Sequence, residues 1–311
     1  MTSSISFLGY VHIIGTVYND KKKNKNMSAI EIIDDLLIMG ADEGSTIKVL
    51  KFNGDGYQGE RSISLSNDEE IDIEGIACEG DAVYVVGSHS CKRAVPDPTE
   101  SYERNREVIA DVASESQRDR LFRCSWKADA GIEQTNLRSV IECADSDNPL
   151  RLFSRIPSKE NGVDIEGIAV KDGLLHIGFR GPVLRDNWVP LLKCKFAPTI
   201  SQSELVFVNL GGRGCRDITP VDDGFLILAG PVGDGPGSYQ IYLWDGVDCL
   251  PGRRQWGQPG QIKQLGELPM YANTKAEGLA LLKERDSDYE VVIIFDGVKN
   301  GAPARFRIAK Q

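Results

Sequence analysis

Two stretches of this chain, Asp72-Ile-Glu-Gly-Ile-Ala77 and Asp164-Ile-Glu-Gly-Ile-Ala169, are identical, and three more can be laid over them. Lys275-Ala-Glu-Gly-Leu-Ala280 is close, Cys215-Arg-Asp-Ile-Thr219 keeps the apolar spacing, and Ser28-Ala-Ile-Glu-Ile-Ile33 is a weaker fifth copy. Each leads through a short turn to an apolar run, at 36–41, 82–88, 174–179, 225–229 and 290–295. The turns Asp34-Asp35, Glu79-Gly80-Asp81, Lys171-Asp172-Gly173 and Asp222-Asp223-Gly224 supply the Asp/Gly chemistry of tight hairpins. Each pair therefore reads as two antiparallel strands.

Working outward, two more strand-like runs follow each hairpin: 46–52 with 61–65, 120–126 with 137–142, 189–196 with 204–210, and 239–244 with 261–265. The fifth unit has only 305–308, and an N-terminal strand near 7–17 supplies its missing partner. A repeated four-stranded unit whose two ends pair is the pattern of a β-propeller, closed so that no long edge is exposed. The expectation is an all-β chain, one propeller domain over residues 1–311, of five four-stranded blades. The long step from Glu74 to Glu166 holds a charged, helix-favouring insertion near 99–118, and a sixth, degenerate blade in that gap is the alternative.

Composition excludes several classes. With 41% apolar and 26% charged residues the chain is neither disordered nor fibrous. A net charge of −10 and a pI near 5.0 argue against a nucleic-acid partner. The one dense basic run, Lys21-Lys-Lys-Asn-Lys25, reads as a solvated loop. No stretch approaches the roughly 20 apolar residues of a membrane helix. Seven scattered cysteines with no CxxC spacing suggest reduced thiols, and so a cytoplasmic chain.

In a propeller the innermost strands run along a central channel, so equivalent residues meet around one axis. The alignment places Ser28, Glu74, Glu166, Arg216 and Glu277 in one slot, with Asp217 where three other copies have Gly75, Gly167 and Gly278. Ends of the second strands give another ring: Asp42 with Glu43, Ser88 with His89, Arg180, and Asp296. Carboxylates so gathered recruit a cation or raise their pKa values. Glu74, Glu166 and Glu277 are candidate ligands for Ca²⁺ or another divalent cation. Arg180, Arg213 and Arg216, with Asp217 and Ser88, are candidates for a small anionic ligand. A satisfied polar plug is the structural alternative.

Of three histidines, His12 and His176 read as structural, and His89 in Gly87-Ser-His-Ser90 is the candidate general base. There is no GxSxG, HExxH or phosphate-binding loop, and Gly230-Pro-Val-Gly-Asp-Gly-Pro-Gly237 joins two strands.

Several segments, in order, resemble a bacterial family known only as domain of unknown function 3616. They are Asp42-Glu43, Asp72–Ala77 leading to Gly87–Ser90, Arg120-Leu-Phe-Arg123, Asp164–Ala169 leading to Gly178-Phe-Arg-Gly-Pro182, Gly211–Asp217, Ala229-Gly-Pro231 and Glu277-Gly278. The Glu-Gly blade motif is more distantly similar to phytase-like esterase and gluconolactonase-type propellers. That likeness implies a channel cation assisting hydrolysis of a phosphorylated or lactone-type substrate, although Arg216 puts a cation where such relatives would want an oxygen ligand. A scaffold binding a protein partner through the insertion and the 246–260 loop, near Trp244 and Trp256, is the competing expectation.

Overall fold

The computed structural model describes residues 4–67, 70–127, 131–145, 147–252, 257–269 and 274–310. Its sheets form a propeller of five four-stranded antiparallel blades, so the six-blade alternative falls away. Blade 1 comprises Met27–Ile33, Leu36–Ala41, Thr46–Phe52 and Tyr57–Ser64; blade 2, Ile73–Glu79, Ala82–Gly87, Leu121–Ser125 and Glu133–Thr135. Blade 3 comprises Asp164–Lys171, Leu174–Gly181, Trp188–Cys194 and Ser203–Asn209; blade 4, Gly214–Val221, Gly224–Gly230, Gln240–Trp244 and Ile262–Glu267. Blade 5 has Lys275–Glu284, Asp288–Asp296 and Ala304–Ala309, and Ile5–Tyr10 pairs with the last of these as its outer strand.

The expected closing strand over 7–17 is shorter and divided. After Tyr10 the chain crosses to blade 1, where Ile13–Ile14 lies parallel to the outer strand at Tyr57 and Gln58. Asn300 clasps this crossing: its Oδ1 accepts from Val17 N at 3.2 Å and its Nδ2 donates to Gly15 O at 3.1 Å.

Blade 2 departs most from expectation. Residues 137–142 are not a strand; they contain the one-turn helix Arg138–Ile141, and the fourth strand is the three-residue Glu133–Thr135. Leu137 and Ile141 are both fully buried. Their spacing of four gives a helical turn one inward face, which tertiary packing exploits against a strand-like composition. The insertion leaves blade 2 between its second and third strands, and its helix is Tyr102–Ala110. No helix among the described residues is long and apolar enough to cross a membrane.

The repeat makes a ring because each inner strand touches both neighbours, the fifth touching the first. Ile30, Ile76, Ile168, Ile218 and Leu279 occupy one aligned position, and all are buried in the seams between blades. Each contributes about 1.5–3 kcal/mol of apolar burial. Close approach at the axis explains the glycine before three of them, Gly75, Gly167 and Gly278. A Cβ on Gly167 would lie 2.8 Å from the Cα of Asp217 and 3.1 Å from the nitrogen of Ile218. Gly167→Ala is expected to cost roughly 1–3 kcal/mol in chemical denaturation. Gly59→Ala, with nothing within 4 Å, should stay within about 0.5 kcal/mol of the parent.

Blade 4 breaks the pattern. There Asp217 reaches across the seam, Oδ2 accepting from Leu279 N at 2.7 Å and Oδ1 from Ile218 N at 2.8 Å. A side chain fills the gap that glycine leaves closed elsewhere.

Candidate functional site

The first turn of each inner strand and the ends of several second strands surround a cavity of about 400 Å³ at one mouth of the channel. All five aligned slot residues, Ser28, Glu74, Glu166, Arg216 and Glu277, line it. Arg180, Asp42 and Asp296 come from the second ring. Residues far apart in sequence therefore do meet around a common axis.

Arg216 is almost completely buried, at 1% exposure. Its Nη1 donates to Glu166 Oε2 at 2.7 Å and to Glu277 Oε2 at 2.5 Å, and its Nη2 to Pro231 O at 3.2 Å. Arg180 Nη1 pairs with Glu166 Oε1 at 2.5 Å, and its Nη2 pairs with Asp164. Glu166 is thus gripped by two guanidinium groups from neighbouring blades. Burial works against the charge on both arginines, but their carboxylate partners overcome it and hold them firmly protonated.

The carboxylates outnumber these cations. Among the described residues, eleven acidic and seven basic side chains line the cavity. Burial pushes Asp164 up to about 7 even against Arg180, and Glu277 up to about 7 even against Arg216. Asp42 rises to about 7 through burial and then the charges of Asp72, Glu43 and Asp296. One of its oxygens, Oδ1, is buried with no hydrogen-bond partner among the described residues. Glu74 is driven well above the ordinary carboxylate range by burial and by Asp72, Glu166, Asp164 and Asp42. No ion pair joins it to a lysine or arginine among the described residues, although its charge also helps to hold Arg180 protonated.

The proposed metal set of Glu74, Glu166 and Glu277 does not offer an open oxygen cage. Arg216 Nη1 already stands between Glu166 and Glu277, and the described residues hold no group of three or more His, Cys, Asp or Glu spaced for a metal ion. The anion expected for the arginines is likewise supplied from within the protein. Arg213 lies outside the cavity, its Nε donating to Ser238 O at 2.9 Å and its Nη2 to Ser238 Oγ at 2.7 Å. Asp217 belongs to the blade 4–5 seam. Ser88 Oγ lies 2.9 Å from Ser90 Oγ, and Ser88 O accepts from Ile165 N at 2.8 Å across the blade 2–3 seam.

His89 is fully buried and does not line the cavity. Its Nδ1 lies 2.8 Å from Gly87 O and its Nε2 accepts from Leu137 N at 3.1 Å, a pattern that needs the proton on Nδ1. Burial lowers its pKa to about 4. The ring is a neutral brace for the turn entering Arg138–Ile141. On the rim, Trp244 is buried and its Nε1 donates to Val247 O at 2.8 Å, while Trp256 lies outside the described residues.

One charged group of the cavity escaped the sequence reading. Arg118, at the end of the insertion, pairs with Asp72 at 2.7 Å, Glu70 at 2.7 Å and Glu115 at 2.8 Å. No repeat copy aligns with the insertion, so nothing in the sequence could place it.

Among solved structures the chain is similar to glutaminyl cyclase from Myxococcus xanthus, with 12% identity and a TM-score of 0.43 over 99% of this chain and 97% of that one. It is also similar to hydrazine synthase from Kuenenia stuttgartiensis, with 10% identity and a TM-score of 0.42 over 89% and 65% of the two chains. YCF48 bound to a D1 peptide gives 10% identity and a TM-score of 0.38 over 93% and 71%. No curated protein matches. The profile of the proteins of unknown function DUF3616, however, matches residues 26–308, which take in all five inner strands and every ionic group of the cavity: the chain belongs to the DUF3616 family.

Proposed function

We propose that this protein binds a small ligand carrying a positive charge at the channel mouth, with Glu74 and Asp42 as the contacting carboxylates. One observation carries the reading. Arg180 and Arg216 make their direct ion pairs with Asp164, Glu166 and Glu277, whereas Glu74 makes none among the described residues and Asp42 keeps a buried, unpartnered oxygen. A cation entering there relieves the mutual repulsion of carboxylates that otherwise hold protons. The cavity volume suits a small molecule. An ammonium or guanidinium group fits better than a bare metal ion, because it needs two or three acceptors and not a closed oxygen cage.

A second reading, proton-transfer catalysis such as hydrolysis of the bound ligand, is favoured by Asp42. A carboxyl brought to about 7, with a free oxygen, is matched to general acid–base work near neutral pH.

Titration calorimetry with agmatine, spermidine and Ca²⁺ tests the binding. An organic amine is expected to bind, and Glu74→Gln to weaken it at least tenfold, about 1.4 kcal/mol. Binding of Ca²⁺ alone would return the site to a metal. Absence of binding by all three would remove the reading.

A further inference from the structure

The insertion in blade 2 is anchored in an unusual way. Its nine-residue helix Tyr102–Ala110 buries no residue. Val95 is 85% exposed, Tyr102 70% and Ile109 54%. So short a helix is marginal by itself, and without a packed face its position must come from its ends. Both ends are fastened at the channel mouth. A two-stranded ribbon, Cys91–Lys92 with Ala113–Ser114, forms the base. On the entering side Arg93 pairs with Glu160 at 2.6 Å and also donates to Ile109 O and Asp111 O at the end of the helix. On the leaving side Arg118 fans onto Asp72, Glu70 and Glu115. Lys92, Arg93, Val95 and Arg118 line the same cavity as Glu74 and Asp42.

Arg118 is therefore a guanidinium carried into the acidic cavity by a segment held at its two ends, its helix having no packed face. Its partner Asp72 is two residues before Glu74 on the same channel wall, and is buried. The backbone helps aim it, since Arg118 O accepts from His89 N at 3.3 Å.

We propose that residues 93–118 form a strap that closes on the channel through Arg118, which occupies Asp72 as an internal cation and competes with the ligand's own. The competition rests on the cationic-ligand reading; the strap itself does not. Asp72 lines the same cavity as Glu74 and Asp42, so an incoming cation and Arg118 repel each other there; binding loosens the strap, and a loosened strap opens the site.

Two measurements test this. In calorimetry with agmatine, Arg118→Gln is expected to bind at least tenfold tighter than the parent. Arg104→Gln, on the exposed helix, should match the parent. In limited trypsin digestion without ligand, cleavage after Arg104 and Arg106 is expected to rise at least fivefold in Asp72→Asn and in Arg118→Gln. Glu74→Gln should leave it unchanged, with global stability followed in urea so that general unfolding is not mistaken for release. Binding of agmatine with equal affinity to the parent and Arg118→Gln overturns the competition. If neither protein binds agmatine, the titration is repeated with spermidine; if neither binds that or Ca²⁺, the cationic-ligand reading fails and proteolysis alone decides the strap. Unchanged cleavage in Asp72→Asn overturns the strap whatever the titrations give.

Discussion

Arg216→Gln is expected to cost about 3–5 kcal/mol, the usual penalty for removing one partner of a buried ion pair. The melting temperature should fall by roughly 6–10 °C, since a domain of this size loses about 2 °C per kcal/mol. Glutamine can reach neither Glu166 nor Glu277 with charge. Two carboxylates are then left facing each other across the channel, with only Arg180 nearby. Glu277, already up at about 7 beside the guanidinium, is driven higher without it. The sign of the pH effect follows. A carboxyl whose folded pKa is raised binds more protons folded than unfolded, so its penalty grows as pH rises through that window. The deficit of the variant should therefore be largest near pH 8 and shrink toward pH 5. Thermal melts at the two pH values check this, and an equal deficit at both would show that the cost is lost packing and not charge.

The second large effect concerns a residue outside the site. Glu31 lies in the inner strand of blade 1, 8% exposed, where its aligned counterparts are Ala77, Ala169, Thr219 and Ala280. Its carboxyl accepts from Ile32 N at 2.9 Å, and burial, against that bond and one from the Cys78 backbone, brings it up to about 8. In the unfolded chain it titrates near 4.3. Above pH 8 the folded protein bears the full penalty of an ionised buried group, and below about pH 4 none of it. Glu31→Gln keeps the shape and the acceptor without the charge. It is expected to stabilise by a few kcal/mol at pH 9 and by almost nothing at pH 4.5. Urea denaturation at the two pH values measures the difference. A variant less stable at pH 9 would mean that the carboxylate is paired and welcome there.

How much of this was legible beforehand follows from what the repeat repeats. Glu-Gly at 74, 166 and 277 recurs because the axis needs both a small residue and an inward polar one, so the alignment found the ring and its members. The turns were legible because Asp and Gly have specific backbone roles there. Pairing partners were not. Nothing in Arg216 says that it will lie between Glu166 and Glu277 and leave Glu74 bare, because side-chain reach across an axis is invisible to linear spacing. His89 shows the same gap: a histidine at a strand end resembles a base until both ring nitrogens are seen to be engaged. Residues 137–142 misled because an apolar pair four apart fits a short strand and one helical turn equally well. Arg118 lay in a long segment without a copy to compare.

The N-terminal strand has a consequence for biosynthesis. Ile5 pairs with Ile308, and Ser6 with Arg307. As the ribosome delivers the chain, Ile5–Tyr10 must wait for Ala304–Ala309, almost 300 residues later. Joining ends so distant costs about 2 kcal/mol more in loop entropy than closing a tenfold shorter loop, and long-range pairing of this kind slows folding. Blades 1 to 4 can assemble while translation proceeds, but blade 5 cannot. Until Ala304–Ala309 has been made, the apolar outer strand Ile5–Tyr10 stays unpaired, where a chaperone would find it.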